Sequence, residues 1–307
     1  AGSPEPAASA DAAAQAAEDA SAAAPPAIPD EEPEIEPPPL DGSWVKSIAP
    51  PTEVRYTVRR GGSMKMVANL YKVFHHEIQA LNPGVDLDRE LAPGTTVLVY
   101  RKPEGQRSRS IGTPGSGKLE GAVPMVEGAG RVLKMIPWKS WATDYTVATM
   151  DGLLKEWARR FPQADPILVG NMSARGGGRL EPHSTHQSGR DVDLGYPQKR
   201  RKTEELNWRE MTADNLDAEH TWALLELLRG SGEVEVVLID TAIQRLLYDY
   251  AVKTRRYTKG QLASWLEAPR PVGSTGAFVQ HHPGHVDHLH VRVRCRSSDA
   301  GCGSRRD

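Results

Sequence analysis

Two short stretches carry most of the metal-ligating side chains of this 307-residue chain: EPHSTHQSGRDVD at 181–193 and HVDHLH at 285–290. Of ten histidines, seven (183, 186, 281, 282, 285, 288 and 290) lie inside or beside them. Such enrichment in two distant segments implies a fold that brings them together around something imidazole binds, a metal ion first.

Alternation says how. In the last apolar run, Val286, His288, His290, Arg292 and Arg294 share one strand face, and Leu289, Val291 and Val293 share the other. The aliphatic face belongs in the core, so both histidines point together into a polar cleft. In RDVDLGY, Asp191 and Asp193 alternate with Val192 and Leu194 in the same way, and Gly189 suits a tight bend after His186. If the two strands are neighbours, His186, Asp193 and His290 meet around one ion. Two imidazoles, one carboxylate and an open position form a catalytic zinc ligand set, whereas structural zinc sites are closed by four protein ligands. Fe²⁺, Mn²⁺ and Co²⁺ accept the same donors. His183 reads as a neighbour of the ligands or as a fourth one. His281 and His282 read as rim residues, and Arg175, Arg179 and the KRRK run at 199–202 as solvated loop residues.

The rest of the composition limits what surrounds this chemistry. A mean hydropathy of -0.51 and 25% charged residues describe a soluble protein, and no apolar run approaches a membrane span. The net charge of -2 is uneven: residues 1–41 hold ten acidic side chains and no Lys or Arg, which leaves about +8 from Gly42 onward. A basic body on an acidic tether suits an anionic target, with cell-wall polymer, lipid headgroups and nucleic acid all open at this level. Two cysteines, Cys295 and Cys302, exclude a four-cysteine zinc site and read equally as free thiols or a local disulfide. A start at Ala1 reads as a processed or trimmed chain without its signal peptide.

Along the chain, residues 1–53 are rich in Ala, Pro and Glu and read as a disordered tether. Residues 54–102 read as strand–helix–helix–strand, from YTVRRGGS, MKMVANLYKV, HHEIQALNPG and LAPGTTVLVY. Residues 103–109 read as a polar linker that lets its two neighbours move independently. Residues 110–307 alternate helices (TVATMDGLLKEWARRF, AEHTWALLELLRG, TAIQRLLYDYAVK) with strands (PILVGNMS, EVEVVLID, VDHLHVRVRC). That pattern implies an α+β domain on one central sheet.

The segment 54–102 resembles the lysin motif (LysM), through Tyr56-Thr57-Val58, the Gly61-Gly62-Ser63 turn, Leu81-Asn82-Pro83-Gly84 and Leu91-Ala92-Pro93-Gly94. The resemblance implies a small βααβ module binding the glycan of peptidoglycan, although Gly62 stands where the family usually has an acid. The larger part resembles the penicillin-insensitive murein endopeptidases, within the zinc peptidases of the lysostaphin, D-Ala-D-Ala peptidase and hedgehog group. His186-Gln-Ser-Gly-Arg-Asp-Val-Asp193 and His288-Leu-His290 carry that resemblance, with Ser110-Ile-Gly-Thr113, Gly178-Arg179, His183-Ser-Thr-His186 and the Cys-x6-Cys. It covers about 110–302. It implies a central antiparallel sheet flanked by helices, one zinc held by His186, Asp193 and His290, and His288 as base or transition-state stabiliser with His285 assisting. It also implies a Cys295–Cys302 disulfide and export to the periplasm or beyond.

The function expected is therefore a zinc peptidase cleaving a D-amino-acid-containing bond of peptidoglycan, the D-alanyl–diaminopimelyl cross-link first. The alternatives are a carboxypeptidase or dipeptidase on uncrosslinked stems, and a non-catalytic wall-binding protein. Neither nucleic acid nor a transmembrane segment enters this expectation.

Overall fold

The computed structural model describes residues 49–303, so nearly all of the expected tether lies outside the described residues. Near the N-terminus, β1 (Glu53–Thr57), helices α1 (Met64–Tyr71) and α2 (His75–Leu81), and β2 (Thr96–Arg101) follow in the expected order. β1 and β2 pair antiparallel. Ser63 caps α1 by accepting from the Met66 amide at 3.2 Å, and the Glu77 carboxylate caps α2 by accepting from the Phe74 amide at 3.0 Å. Gly62, at φ +135°, makes the turn before α1, where a Cβ would sit 2.6 Å from the Met66 sulfur. Val54, Met64, Val67, Ala68, Ile78 and Val97 form the core of this unit, all buried.

The larger part opens on a hairpin, β3 (Arg109–Thr113) and β4 (Ser116–Glu120), then β5 (Val123–Pro124), β6 (Arg131–Leu133) and β7 (Trp141–Ala142). There follow α3 (Asp144–Arg160), β8 (Ile167–Val169), β9 (Asp191–Gly195), α4 (Ala218–Gly230), β10 (Val234–Ile239), α5 (Thr241–Thr254), α6 (Lys259–Trp265), β11 (Val279–His281) and β12 (His288–Val293). Thr143, Asp217 and Asp240 cap α3, α4 and α5 with side-chain oxygens. α4 packs against both α3 and α5, and the buried Trp222 indole donates to the Leu247 carbonyl at 2.9 Å.

Six strands form the main sheet in the order β11-β10-β12-β9-β8-β6. Its middle is antiparallel as expected, but both edges differ: β10 with β11, and β6 with β8, run parallel. The reason is connectivity. α3 lies between β6 and β8, and α5 and α6 between β10 and β11, and a helical crossover returns the chain in the same direction. At the centre, Leu289, Val291 and Val293 are wholly buried, as their alternation requires.

Cys295 and Cys302 form a disulfide. The loop it closes is stitched to β3: the Gly112 amide donates to the Gly301 carbonyl at 2.9 Å, and the Gly303 amide to the Gly112 carbonyl at 2.8 Å.

The two units are not hinged freely, contrary to the expectation from the polar linker. The Trp141 indole donates to the Tyr71 carbonyl at 3.1 Å, and the Tyr100 ring meets the Trp141 ring edge-on at 6.3 Å. The Lys72 ammonium lies 3.5 Å above the Trp138 ring, and Arg175 makes a two-pronged ion pair with Glu77. The linker composition is polar, but the contacts come from residues outside it.

Candidate metal centre

β9 and β12 are direct neighbours, and their register places His290 opposite Asp193, Arg292 opposite Asp191 and His288 opposite Gly195. Antiparallel partners on one face lie about 5 Å apart, so alternation alone brings the His290 ring to the Asp193 carboxylate. The His290 Nδ1 is 3.4 Å from Asp193 Oδ1. The face they share is not an open cleft: Asp191, Asp193, His290 and Arg292 are all 4% exposed or less.

His186 reaches them from the loop between β8 and β9. Its backbone is left-handed, at φ 66°, which is uncommon for a side-chain-bearing residue. That conformation is held at both ends. The His186 amide donates to Asp191 Oδ2 at 2.9 Å, and its carbonyl accepts from the Ser173 hydroxyl. Gly189 completes the bend at φ +74°, where a Cβ would lie 2.7 Å from a Leu119 methyl.

The ring of His186 is oriented as firmly as its backbone. Nδ1 is 2.5 Å from the Met172 carbonyl, which can only accept, so Nδ1 carries the proton and Nε2 presents a lone pair. That Nε2 faces Asp193 Oδ1 at 3.1 Å, and both atoms are buried without a hydrogen-bond partner. Two buried acceptors pointed at one another are satisfied by a cation shared between them, and the donor set is compatible with a metal ion. Among the described residues, one ligand atom each of His183, His186 and Asp193 lies within 4.8 Å of the others, a grouping that could hold a metal ion. His183 Nε2 lies 3.9 Å from Asp193 Oδ2 and 2.9 Å from Asn171 Nδ2. His183 thus stands nearer the centre than the sequence alone suggests, while the His290 ring meets the His186 ring edge-on at 4.7 Å.

The electrostatics match this reading. Burial opposes ionisation of Asp193, but positive charge on the neighbouring His186 and His290 rings, of the sign a bound cation also supplies, outweighs it and holds the carboxyl well below the usual range. Burial likewise opposes a charge on His290, yet Asp191 and Asp193 together raise it to about 9. The field at this point favours positive charge. His183 is pushed down to about 4, by burial first and then by His186.

His288 and His285 stand at the rim, their rings 4.7 Å apart. His288 Nε2 is 3.7 Å from Asp193 Oδ1, and its Nδ1 is 2.6 Å from Asp287 Oδ1. Burial, and then His288, push His285 down to about 3. The Tyr196 hydroxyl donates to the His285 carbonyl at 3.0 Å and the Met211 amide to the Val286 carbonyl at 2.8 Å, fixing the turn that carries these residues.

Of the other residues singled out from sequence, His282 lies beside His285, at 4.5 Å between rings. His281 is half-buried, and its Nδ1 accepts from the Thr241 amide at 3.1 Å at the start of α5. The KRRK run is not simply solvated, because Arg200 grips Asp165 through two bonds of 2.5 and 2.6 Å. Arg175 is engaged by Glu77, and Arg179 pairs with Glu181 at the surface.

Sequence reasoning missed Asp191 and Asp287. Asp191 accepts from the His186 amide and from Arg292 Nε, each at 2.9 Å, and lies 3.4 Å from His290 Nε2. It thereby fixes both segments at once. The alternation that placed it on the same face as Asp193 was the available signal. For Asp287 the signal was its position directly before His288.

Known proteins resemble the part of the chain that carries these residues. The family model for penicillin-insensitive murein endopeptidase matches residues 110–307. The chain is 28% identical over 146 residues to a penicillin-insensitive murein endopeptidase of Yersinia enterocolitica, covering 46% of this chain and 49% of that protein. It is 29% identical over 142 residues to one of Escherichia coli O157:H7 and 30% identical over 142 residues to one of Citrobacter koseri, each covering 44% of this chain and 48% of the relative. The chain thus spans about half the length of the curated relatives it matches.

Proposed function

The chain belongs to the penicillin-insensitive murein endopeptidase family, and from that premise we propose that it hydrolyses peptide cross-links of peptidoglycan with one zinc ion. The bond proposed is the D-alanyl–diaminopimelyl cross-link. The observation that carries this reading is the pair of buried, partnerless acceptors His186 Nε2 and Asp193 Oδ1, 3.1 Å apart, beside His288 and His290 on the neighbouring strand.

His186, Asp193 and His290 hold the metal, with His183 near enough to join them. When bound, zinc supplies a Lewis acid that brings the pKa of water to about 7 and polarises a carbonyl. The chain's residues do the rest. Asp287 accepts from His288 Nδ1, which leaves His288 Nε2 as the base that takes a proton from the attacking water. The same nitrogen then returns the proton to the departing amine. His285, kept uncharged by its surroundings and with Nδ1 3.2 Å from the Pro283 carbonyl, assists by packing its ring against His288. Asp191 keeps the His186 backbone and the His290 ring in place throughout.

In this reading residues 54–102 form a LysM-type module that binds the glycan, supported by the βααβ order and the paired β1 and β2. The site of action is the periplasm or the cell exterior, where such a substrate lies, and the Cys295–Cys302 disulfide suits an oxidising compartment. Among the described residues no helix is long and apolar enough to cross a membrane.

Digestion of purified sacculi, with and without a chelator, followed by mass analysis of the products, tests the proposal. Chelator-sensitive conversion of cross-linked to uncrosslinked muropeptides is expected. Release of terminal D-alanine alone would make the protein a carboxypeptidase, and no product at all would make it a wall-binding protein.

A further inference from the structure

The segment between β8 and β9 carries His183 and His186, yet it has no helix or strand of its own, only isolated bridges. A connection this long inside a packed domain needs external ties to hold side chains in place. One set of ties comes from the β3–β4 hairpin: the Leu119 amide donates to the Gly176 carbonyl at 3.1 Å, and the Gln187 amide to the Pro114 carbonyl at 3.0 Å. The other set comes from the N-terminal unit.

Arg175, in that segment, donates to Glu77 of α2 through Nη1 at 2.5 Å and Nη2 at 2.9 Å. The Glu77 carboxylate is already fixed, because it also caps α2 at the Phe74 amide. Behind the pair, the Arg175 guanidinium lies 5.5 Å from the centre of the Trp141 ring. Trp141 is 1% exposed and donates its indole N–H to the Tyr71 carbonyl of α1. Its backbone amide donates to the Ser173 carbonyl at 3.2 Å. Ser173 in turn donates its hydroxyl to the His186 carbonyl and accepts from the Gly189 amide at 3.2 Å. Three packed residues, Arg175, Trp141 and Ser173, therefore connect the N-terminal unit to the backbone of a residue at the metal centre.

We propose that the N-terminal unit positions the metal-binding segment, and that Glu77 and Arg175 are the positioning pair through which it does so. The unit is thereby part of the active enzyme's framework and not only an anchor on the wall. His186 sits in a left-handed conformation that its own sequence does not favour. Ties on both of its flanks keep it there. Removing one side loosens the segment while leaving the sheet, and with it Asp193 and His290, intact. The pair is about one-third exposed on each side, so its loss has little effect on global stability. The consequence falls on local order and on metal retention. The metal part of this inference rests on the proposed function above, whereas the order of the segment does not.

Glu77→Gln keeps an acceptor for the α2 cap and removes the charge that holds Arg175. Arg175→Gln removes the other partner. Amide hydrogen exchange of 171–189 is measured in the metal-free full-length proteins, and zinc dissociation by competition with a chromophoric chelator. Each variant is expected to speed exchange in that segment about 3- to 10-fold and to weaken zinc by a similar factor, with the double variant no worse than either single one. Arg59→Gln is the control, since its 3.7 Å contact with Glu127 also crosses between the units but does not touch the segment. Exchange and zinc dissociation within twofold of the wild type in Glu77→Gln would overturn the proposal, as would equal effects from Arg59→Gln. If the wild type takes up no zinc, the proposed function fails, and hydrogen exchange alone decides this inference.

Discussion

Asp191→Asn is nearly isosteric and probes the residue that joins the two halves of the site. Asp191 faces three donors: the His186 amide, Arg292 Nε and His290 Nε2. The carboxylate accepts from the His186 amide on one oxygen and from Arg292 Nε on the other, whereas an amide offers one oxygen and must turn an N–H group towards at least one of these donors. Burial opposes the Asp191 charge, yet Arg292 and then His290 hold its carboxyl well below the usual range, so the charge is present at neutral pH. Removing it from beside the buried Arg292 costs about 3 kcal/mol, the lower end for breaking a buried ion pair. For a domain of about 200 residues, that lowers Tm by roughly 6–12 °C. Metal affinity is expected to fall by about 10- to 100-fold, the usual effect of losing a partner that orients a ligand. Thermal unfolding followed by circular dichroism measures the first effect, and chelator competition on folded protein below the transition measures the second. A Tm within about 2 °C of the wild type, together with unchanged affinity, would refute the role assigned to Asp191.

His288→Ala is expected to keep its metal and to lose about 10²–10⁴ in kcat, because the side chain moves a proton and does not hold the ion. A variant with metal bound and near-normal turnover would transfer that role to His285. Reduction of Cys295–Cys302 should destabilise the protein by about 2–2.5 kcal/mol on the loop-entropy model without unfolding it, as judged by denaturant titration with and without reductant. At the surface of α3, Arg159 and then Arg160 lower the Glu156 carboxyl to about 2. Its contribution is therefore fully present above its ordinary pKa of 4.5 and is lost as pH falls through about 2. Glu156→Gln should lower stability by less than about 1 kcal/mol at pH 7 and by progressively less as pH falls towards 2, a difference readable from denaturation midpoints.

How much of this was legible in the sequence depended on whether a signal was local. Helix α4 spans the residues read from AEHTWALLELLRG, and β12 follows the alternation of HVRV, because periodicity and burial act on the same residues. The pairing of His290 with Asp193 follows from two such strands once they are neighbours. The short strands of the β3–β4 hairpin, and β6 and β11, have no comparable alternation, and their pairing partners lie outside their own segments. The left-handed backbone at His186 was also out of reach. It depends on Ser173 and Asp191, which the chain brings to its two ends only after β8 and β9 are in place. Docking of the N-terminal unit was hidden for the same reason, since Tyr71, Trp141 and Arg175 are unremarkable in sequence and meet only in the fold.

The most direct test of the account is the metal content of purified wild-type protein beside that of Asp193→Ala. Mass spectrometry of the metals should find one zinc per chain in the wild type and almost none in the variant, with circular dichroism showing that both are folded. Stoichiometric zinc in Asp193→Ala would contradict the assignment of the centre.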